Sequence, residues 1–273
     1  MAQARKRFGQ HFLESAWVRK LIDAAAIGPG DAVLEIGPGR GAITRPLAER
    51  AGRLLAVEVD RDLAADLDAA NLPHVTVVTR DILQVDLAPV IASWLGAPPG
   101  PSNTIRIVGN LPYNISSPIL FTLLDLARQT NGVRDALLML QKEVADRLVA
   151  RVGTGDYGVL TVLTAVRADV AKVLALPPGA FRPPPKVHSA VVRLTFRPPA
   201  VEIADEELFV RMVRTMFTQR RKTIGNAMKP YSIASGLDSA RALTEAGIDA
   251  RRRPETLSLA EFAAVARRLS AQR

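Results

Sequence analysis

The chain contains no cysteine. That excludes a thiol nucleophile, a thiolate-held zinc or iron–sulfur centre and any disulfide framework. Histidine occurs only as His11, His74 and His188, so a histidine-rich metal site is not expected, and no metal is assigned. No apolar run reaches the roughly 18 residues that a membrane span needs, and "MAQARKRFGQHFL" at the amino end is charged, without the apolar core of a secretory leader. A cytoplasmic location and no membrane partner are therefore expected. "GxxxxGK" is also missing, which removes support for a P-loop phosphate site. Carboxylates, amides, hydroxyls, backbone groups or a diffusible cofactor are left to do any chemistry.

What is present is a globular composition: 273 residues, 48% of them hydrophobic, enough for one full core and a second small one. Lys and Arg outnumber Asp and Glu by 36 to 27, for a net charge of +9. Such an excess suits a polyanionic partner. One basic run alone would be ordinary solvated surface, but "RKR" at 5–7, "RRK" at 220–222 and "RRR" at 251–253 lie together near the two ends.

Strand and helix periods alternate through the first two-thirds. Strand-like runs are "AVLEIG" (32–37), "LLAVEVD" (54–60), "VTVVTRD" (75–81), "TIRIVGN" (104–110) and "ALLMLQ" (136–141). Helical spacing fills the gaps between them, as in "RDLAADLDAAN" and "SSPILFTLLDLARQ", which predicts an α/β doubly wound, mostly parallel sheet. Two more strands, "DVAKVLAL" (169–176) and "SAVVRLTF" (189–196), are joined without a helix and are expected to pair antiparallel at an edge, for seven strands in all. After about residue 198 the pattern turns helical, ending in "SLAEFAAVARRLS", where Ser258 and Glu261 suit a capping box. The expected division is thus 1–198 for the α/β domain and 199–273 for a small all-α domain.

Four strand ends carry the chemistry. "EIGPGRGAIT" follows the first long strand and opens a helix, and Gly37, Gly39 and Gly41 permit a tight turn with close backbone approach to a ligand. Glu58 ends the next strand, where an acid can bind a ribose diol. Asp81 and Asn110 end the two after that. A nicotinamide site would explain Gly37 and Glu58 but not Asp81 and Asn110. A nucleoside cofactor with its base near Asp81 and its reactive group near Asn110 explains all four, and this segment resembles the class I S-adenosylmethionine methyltransferases, with their Rossmann-like fold.

"GNLPYNIS" (109–116) then becomes intelligible. An exocyclic adenine amine is a poor nucleophile because its lone pair is delocalised into the ring. The Asn110 side-chain oxygen and a backbone carbonyl at Leu111 or Pro112 can accept its two N–H groups and favour a more tetrahedral nitrogen. Pro112 fixes the turn that presents them, and Tyr113 offers a face on which the base can stack. No strong general base is required, since the amine proton becomes acidic only after alkylation. Positioning does most of the work.

Taken in order, "RFGQHFL", "EIGPGRGAIT", "EVD", "GNLPYNISSPIL", "QKEVADRL", "FRPPPKVHSAVVRL" and "FTQRRKTIGNAM" resemble the ribosomal RNA adenine N6,N6-dimethyltransferases over essentially the whole chain, most of all their small-subunit branch. The resemblance implies S-adenosyl-L-methionine contacts from His11, Leu13, Gly37, Glu58, Asp81 and Asn110. His11 stands where many members carry Asn. It implies target-base contacts from Asn110, Leu111, Pro112 and Tyr113, with Phe181 on the opposite face of a flipped adenine. It further implies dimethylation of two adjacent adenosines in the 3′-terminal hairpin of small-subunit rRNA, within an immature 30S particle and by a monomer. Arg220, Arg221 and Lys222 are candidates for RNA phosphates.

Two alternatives stay open. One is the macrolide-resistance type of enzyme, which methylates an adenine in large-subunit rRNA; "FTQRRKTIGNAM" and the helical tail speak for the small-subunit branch. The other is a non-catalytic nucleic-acid-binding factor on the same fold, against which stands the complete set Gly37, Glu58, Asp81 and Asn110. A DNA adenine methyltransferase would more typically place an acid where Asn110 stands.

Overall fold

The computed structural model describes residues 12–273, in two compact units. The first runs to Ala145 and resumes over Asp169–Phe196; the second comprises Asp146–Ala168 and Arg197–Arg273. Its strands are β1 (Phe12–Leu13), β2 (Ala32–Ile36), β3 (Arg53–Glu58), β4 (Val75–Thr79), β5 (Ile105–Asn110), β6 (Val133–Gln141), β7 (Ala168–Leu176), β8 (Phe181–Arg182) and β9 (Ser189–Phe196). Between them run α1 (Ser15–Ala25), α2 (Thr44–Ala48), α3 (Arg61–Ala69), α4 (Leu87–Leu95), α5 (Ser116–Thr130), α6 (Lys142–Leu148) and α7 (Val159–Arg167). Past β9 come α8 (Glu206–Thr218), α9 (Ile224–Ala227), α10 (Lys229–Ser235), α11 (Ser239–Glu245) and α12 (Leu259–Ser270).

Seven strands form one sheet in the order β4-β3-β2-β5-β6-β9-β7. The run from β4 to β6 is parallel and β9 is antiparallel to β6, so the expected α/β architecture with a mostly parallel seven-stranded sheet is the one observed. Every residue of β2 is buried, as a central strand covered on both faces requires. Val33, Leu34, Leu54 and Leu55 are wholly inaccessible, and full burial of such side chains is worth about 1.5–3 kcal/mol each. The chain steps outward from β2 to β3 and β4, then returns to place β5 on the other side of β2. That reversal opens a crevice at the carboxyl ends of β2 and β5.

The opposite edge of the sheet is closed by Arg106. Its Nε and Nη2 hold both oxygens of Asp135 at 2.7 Å, Nη1 reaches Asp31 at 2.9 Å, and the remaining donors reach the Ala25 and Ala26 carbonyls at 2.8 Å. Ala26 ends α1 in a left-handed conformation, φ 51°, which a residue with a Cβ adopts only at some cost. The guanidinium holds that strained turn against the starts of β5 and β6. Arg193 joins the cluster, bonding Asp135 and the Ala24 carbonyl.

The helical unit begins earlier than the sequence pattern implies. Residues 146–168 belong with it, so the expected boundary at 198 describes only its second crossing. The reason is packing: Tyr157 donates its hydroxyl to the Leu257 carbonyl at 2.9 Å, and its ring lies 6.2 Å from that of Phe217, which in turn lies 5.9 Å from Phe262. Helix α8 turns Leu208, Phe209, Met212, Val213, Met216 and Phe217 to this core, a stripe at helical spacing. The expected capping box is present: the Glu261 amide donates to Ser258 Oγ at 3.3 Å and the Ser258 amide to Glu261 Oε2 at 2.8 Å. None of the described helices is long and apolar enough to cross a membrane.

One core residue carries an unusual cost. Glu35, on β2, is 1% exposed and its Oε2 has no hydrogen-bond partner. Burial first, eased by the neighbouring Thr44 hydroxyl and reinforced by the charge of Glu58, pushes its carboxyl from 4.5 up to about 8. Folding therefore takes up a proton in the interval between those values, because the unfolded chain has lost it and the folded chain has not. This contribution to stability is complete below 4.5 and is lost as pH rises through about 8. Glu35→Gln keeps the shape and removes the titration. In thermal melts from pH 4 to 9, its melting temperature is expected to gain on that of the parent progressively up to about pH 8 and then hold a constant lead; a lead independent of pH would contradict the assignment.

Candidate active site

At the crevice, Ile36 of β2 pairs with Gly109 of β5. The two strands meet so closely that a Cβ on Gly109 would lie 3.3 Å from both the Cβ and the carbonyl oxygen of Ile36. Only glycine fits there without displacement. The next residues, Gly37 and Asn110, consequently leave the sheet side by side: a Cβ on Gly37 would sit 4.0 Å from the Asn110 carbonyl oxygen. Gly37 itself has φ 66°, the left-handed turn that lets the chain double back into the loop before α2.

Glu58 fixes this loop. Its Oε2 accepts the Gly39 amide at 2.9 Å, while Oε1 accepts the amides of Val59 at 2.9 Å and Asp60 at 3.0 Å. The carboxylate thus ties the glycine turn to the end of β3, and Oε2 keeps the capacity to accept a further donor. Asp60 begins α3 by accepting the Asp62 amide at 3.0 Å. Asp81 does the same for the turn after β4, its Oδ1 accepting the Leu83 amide at 2.9 Å.

These residues surround one cleft. Leu13, Gly37, Glu58, Asp81, Asn110, Leu111, Pro112 and Tyr113 all line it, so the residues expected from the four strand ends and from "NLPY" come together. Apolar Ile36, Val57, Ile82 and Ile119 form its walls. Tyr113 is half-buried and hydrogen-bonded through its hydroxyl to Ser189 Oγ at 2.5 Å. Burial raises its phenol pKa, and the Ser189 bond offsets part of that. The Pro112 carbonyl accepts the Ile115 amide at 3.2 Å, closing the turn that leads into α5.

A nucleoside cofactor fits this donor set. The glycine turn presents backbone without side chains, one carboxylate is held at the end of β3, and the walls between the polar strand ends are apolar. Such a mixture suits a purine and a sugar diol.

Three of the expected residues are not among the described residues that line the cleft. His11 lies outside the described residues. Phe181 does not line the cleft: its side chain is 0% exposed and packs in the core with Leu13, Ala180 and Val191. The cause is a two-residue pairing, Leu13 opposite Phe181 and Phe12 opposite Arg182, which puts Phe181 behind the wall that Leu13 forms. Arg220, Arg221 and Lys222 are all exposed, but Arg220 spends Nη2 on the carbonyls of Gly155 at 2.6 Å and Tyr157 at 2.9 Å, an internal tie in the helical unit.

Phe12, Arg40 and Ser189 were not foreseen as site residues. Phe12 lines the cleft beneath Arg40, whose guanidinium carbon is 4.4 Å from the ring centroid. An aromatic directly before a buried leucine gives little signal by itself. The serine of "HSAVV" is visible only once β9 is known to begin beside Gln141.

Comparison with known proteins agrees with this geometry. The ribosomal RNA adenine dimethylase family profile matches residues 1–270. The chain is 45% identical over 269 residues to the ribosomal RNA small subunit methyltransferase A of Moorella thermoacetica, covering 97% of this chain and 92% of that one. It is 45% identical over 273 residues to the protein of the same name from Aromatoleum aromaticum, covering 99% and 96%. Among solved structures, a dimethyladenosine transferase from Plasmodium falciparum shares the fold with TM-score 0.71 at 24% identity, over 93% of this chain and 96% of that one. The 23S rRNA methyltransferase ErmE is similar with TM-score 0.62 at 28% identity, over 95% and 99%. Matched along almost its whole length by both profile and relatives, the chain belongs to the ribosomal RNA adenine dimethylases, enzymes that use S-adenosylmethionine on a class I methyltransferase fold.

Proposed function

We propose that the protein dimethylates the N6 amines of two adjacent adenosines in the 3′-terminal hairpin of small-subunit rRNA, acting as a monomer in the cytoplasm on an immature 30S particle. The observation that carries this reading is the adjacency of Gly37 and Asn110 at the reversal of the sheet, which sets the glycine turn beside the "NLPY" acceptors. The small-subunit methyltransferases named above, at 45% identity, favour the small subunit over the large-subunit activity in the name of the relative at 28%.

S-adenosylmethionine, when bound, supplies an electrophilic methyl group. Gly37, Glu58 and Asp81 would hold it, with Glu58 Oε2 accepting from the ribose and the amide of the Asp81 turn or its carboxylate meeting the base. Asn110 Oδ1 accepts one N–H of the target amine. The second acceptor is the Leu111 carbonyl in preference to that of Pro112, whose oxygen accepts the Ile115 amide and keeps only its second lone pair. Tyr113 stacks on the extruded base, its ring held at the hydroxyl by Ser189. The apolar walls exclude water from the amine, and the proton lost on methylation passes to solvent at the mouth of the cleft. In the helical unit, Arg221 and Lys222 bind RNA phosphates, and Arg220 shapes the loop that carries them.

Labelled methyl groups are expected to enter adenine of immature small subunits as dimethyladenine. Equal incorporation into large-subunit RNA would overturn the small-subunit reading, and preference for DNA would overturn both ribosomal ones. Asn110→Ala is expected to lower kcat by about 100-fold or more, the scale of losing one hydrogen-bonding group that is used most fully in the transition state, while cofactor affinity measured by calorimetry changes much less. Replacing Arg221 and Lys222 together by Gln is expected to weaken particle binding and reduce the slope of log affinity against log salt by about 1–2; a slope equal to that of the parent would remove these residues from the RNA contact.

A further inference from the structure

A second concavity lies on the same unit as the active site. It is a groove of about 420 Å³ between the end of β6, the start of β9 and the edge strand β7. Lys142, Lys172 and His188 line it, and none of its lining residues carries a carboxylate among those described. All three basic side chains are exposed. They come from three separate segments, brought together by the pairing of Gln141 with Ser189 and by the Lys142 amide, which donates to the His188 carbonyl at 2.9 Å. A lysine that served only to block pairing at a sheet edge would need no such companions.

Ser189 links the two concavities: it lines this groove and bonds the hydroxyl of Tyr113, which lines the cleft. Its strand position is close to the acceptor residues, since Asn110 pairs with Met139 and Gln141, two residues further along β6, pairs with Ser189. Two strand spacings, about 10 Å in all, separate Asn110 from Ser189, and the Tyr113 side chain spans that interval to reach Ser189 Oγ, so the groove begins at the outer end of the "NLPY" turn. A polyanion whose base enters the cleft must leave it through neighbouring phosphates, and a groove lined by two lysines and a histidine is where those charges are stabilised.

We propose that the groove of Lys142, Lys172 and His188 holds the phosphates of the RNA strand immediately flanking the target adenosine, and that Ser189 couples that strand to the stacking face of Tyr113. The inference rests on the RNA substrate assigned above and adds to it a subsite distinct from the Arg221–Lys222 loop. Phosphate capture next to the flipped base would hold the nucleotide extruded by clamping its backbone.

The test uses the full chain with Lys142→Gln and Lys172→Gln combined, and with the paired arginine variant as the conservative control. Binding of a single-stranded adenosine-containing RNA oligonucleotide is followed by fluorescence anisotropy across a salt series, alongside KM and kcat on immature small subunits, cofactor affinity and melting temperature. The expected result is about a tenfold weaker RNA affinity and a salt slope shallower by about 1.4, at about 0.7 for each single-strand phosphate contact. KM rises in parallel, kcat at saturation, cofactor affinity and melting temperature hold, and the arginine pair behaves as the parent. Unchanged RNA affinity and salt slope would overturn the proposal, as would equal losses of cofactor affinity or melting temperature, which would make the lysines structural. Should the parent fail to methylate small subunits while the glutamine pair still loses its salt slope, the groove stands and the substrate assignment falls.

Discussion

Everything at the catalytic edge depends on the Arg106 cluster at the other one. A buried guanidinium is stabilising only when its donors are all matched, because desolvation otherwise exceeds the attraction. Here Nε, Nη1 and Nη2 make five hydrogen bonds, to two carboxylates and to two carbonyls at the end of α1. Arg106 raises its own basicity through Asp135 above all, and Asp31 is held below its usual range: burial alone would raise it, but the Gly28 amide and Arg106 outweigh that. One side chain thereby locks the starts of β5 and β6 to α1 and to the loop before β2. With the strand starts fixed in register, the strand ends need not be regular.

That freedom is used at the carboxyl edge, where two glutamates of neighbouring strands answer the same constraint in opposite ways. Glu58 is 5% exposed but accepts three backbone amides. Glu35, on β2 beside it, has no such amides and keeps its proton to about pH 8. Like charges so near cannot both be carried cheaply in a dry interior. The amides of Gly39, Val59 and Asp60 satisfy the Glu58 carboxylate on the side that faces the cleft, and Glu35 is left without them.

The strand ends were legible in the sequence because period-2 runs followed by Gly37, Glu58, Asp81 and Asn110 need only local spacing to be aligned on one edge. Phe181 was not, because its burial follows from a two-residue pairing with Leu13, more than 160 positions away. The same distance problem hid the start of the helical unit: nothing local says that Tyr157 bonds Leu257 or that Arg220 bonds the Gly155 and Tyr157 carbonyls. Glu35 stands in the strand-like run "AVLEIG", yet its raised pKa comes first from complete burial in the assembled sheet and only then from the charge of Glu58 on the neighbouring strand. Motifs report what a residue could do, and long-range packing decides whether it is free to do it.

Phe181 and Ser189 together show how that packing serves the site. Phe181 supports Leu13 from behind, so that wall of the cleft is backed by a filled core and not by solvent. Ser189 restrains Tyr113 from the side, at its hydroxyl, and leaves the ring face unused by the bond. A stacking surface fixed at its tip loses little side-chain entropy when a base arrives. The acceptor atoms of Asn110 and Leu111 are set by strand register on one side and by the Pro112 turn on the other. A weak nucleophile therefore meets groups already in position, and this is the contribution that a positioning enzyme without a strong base must make.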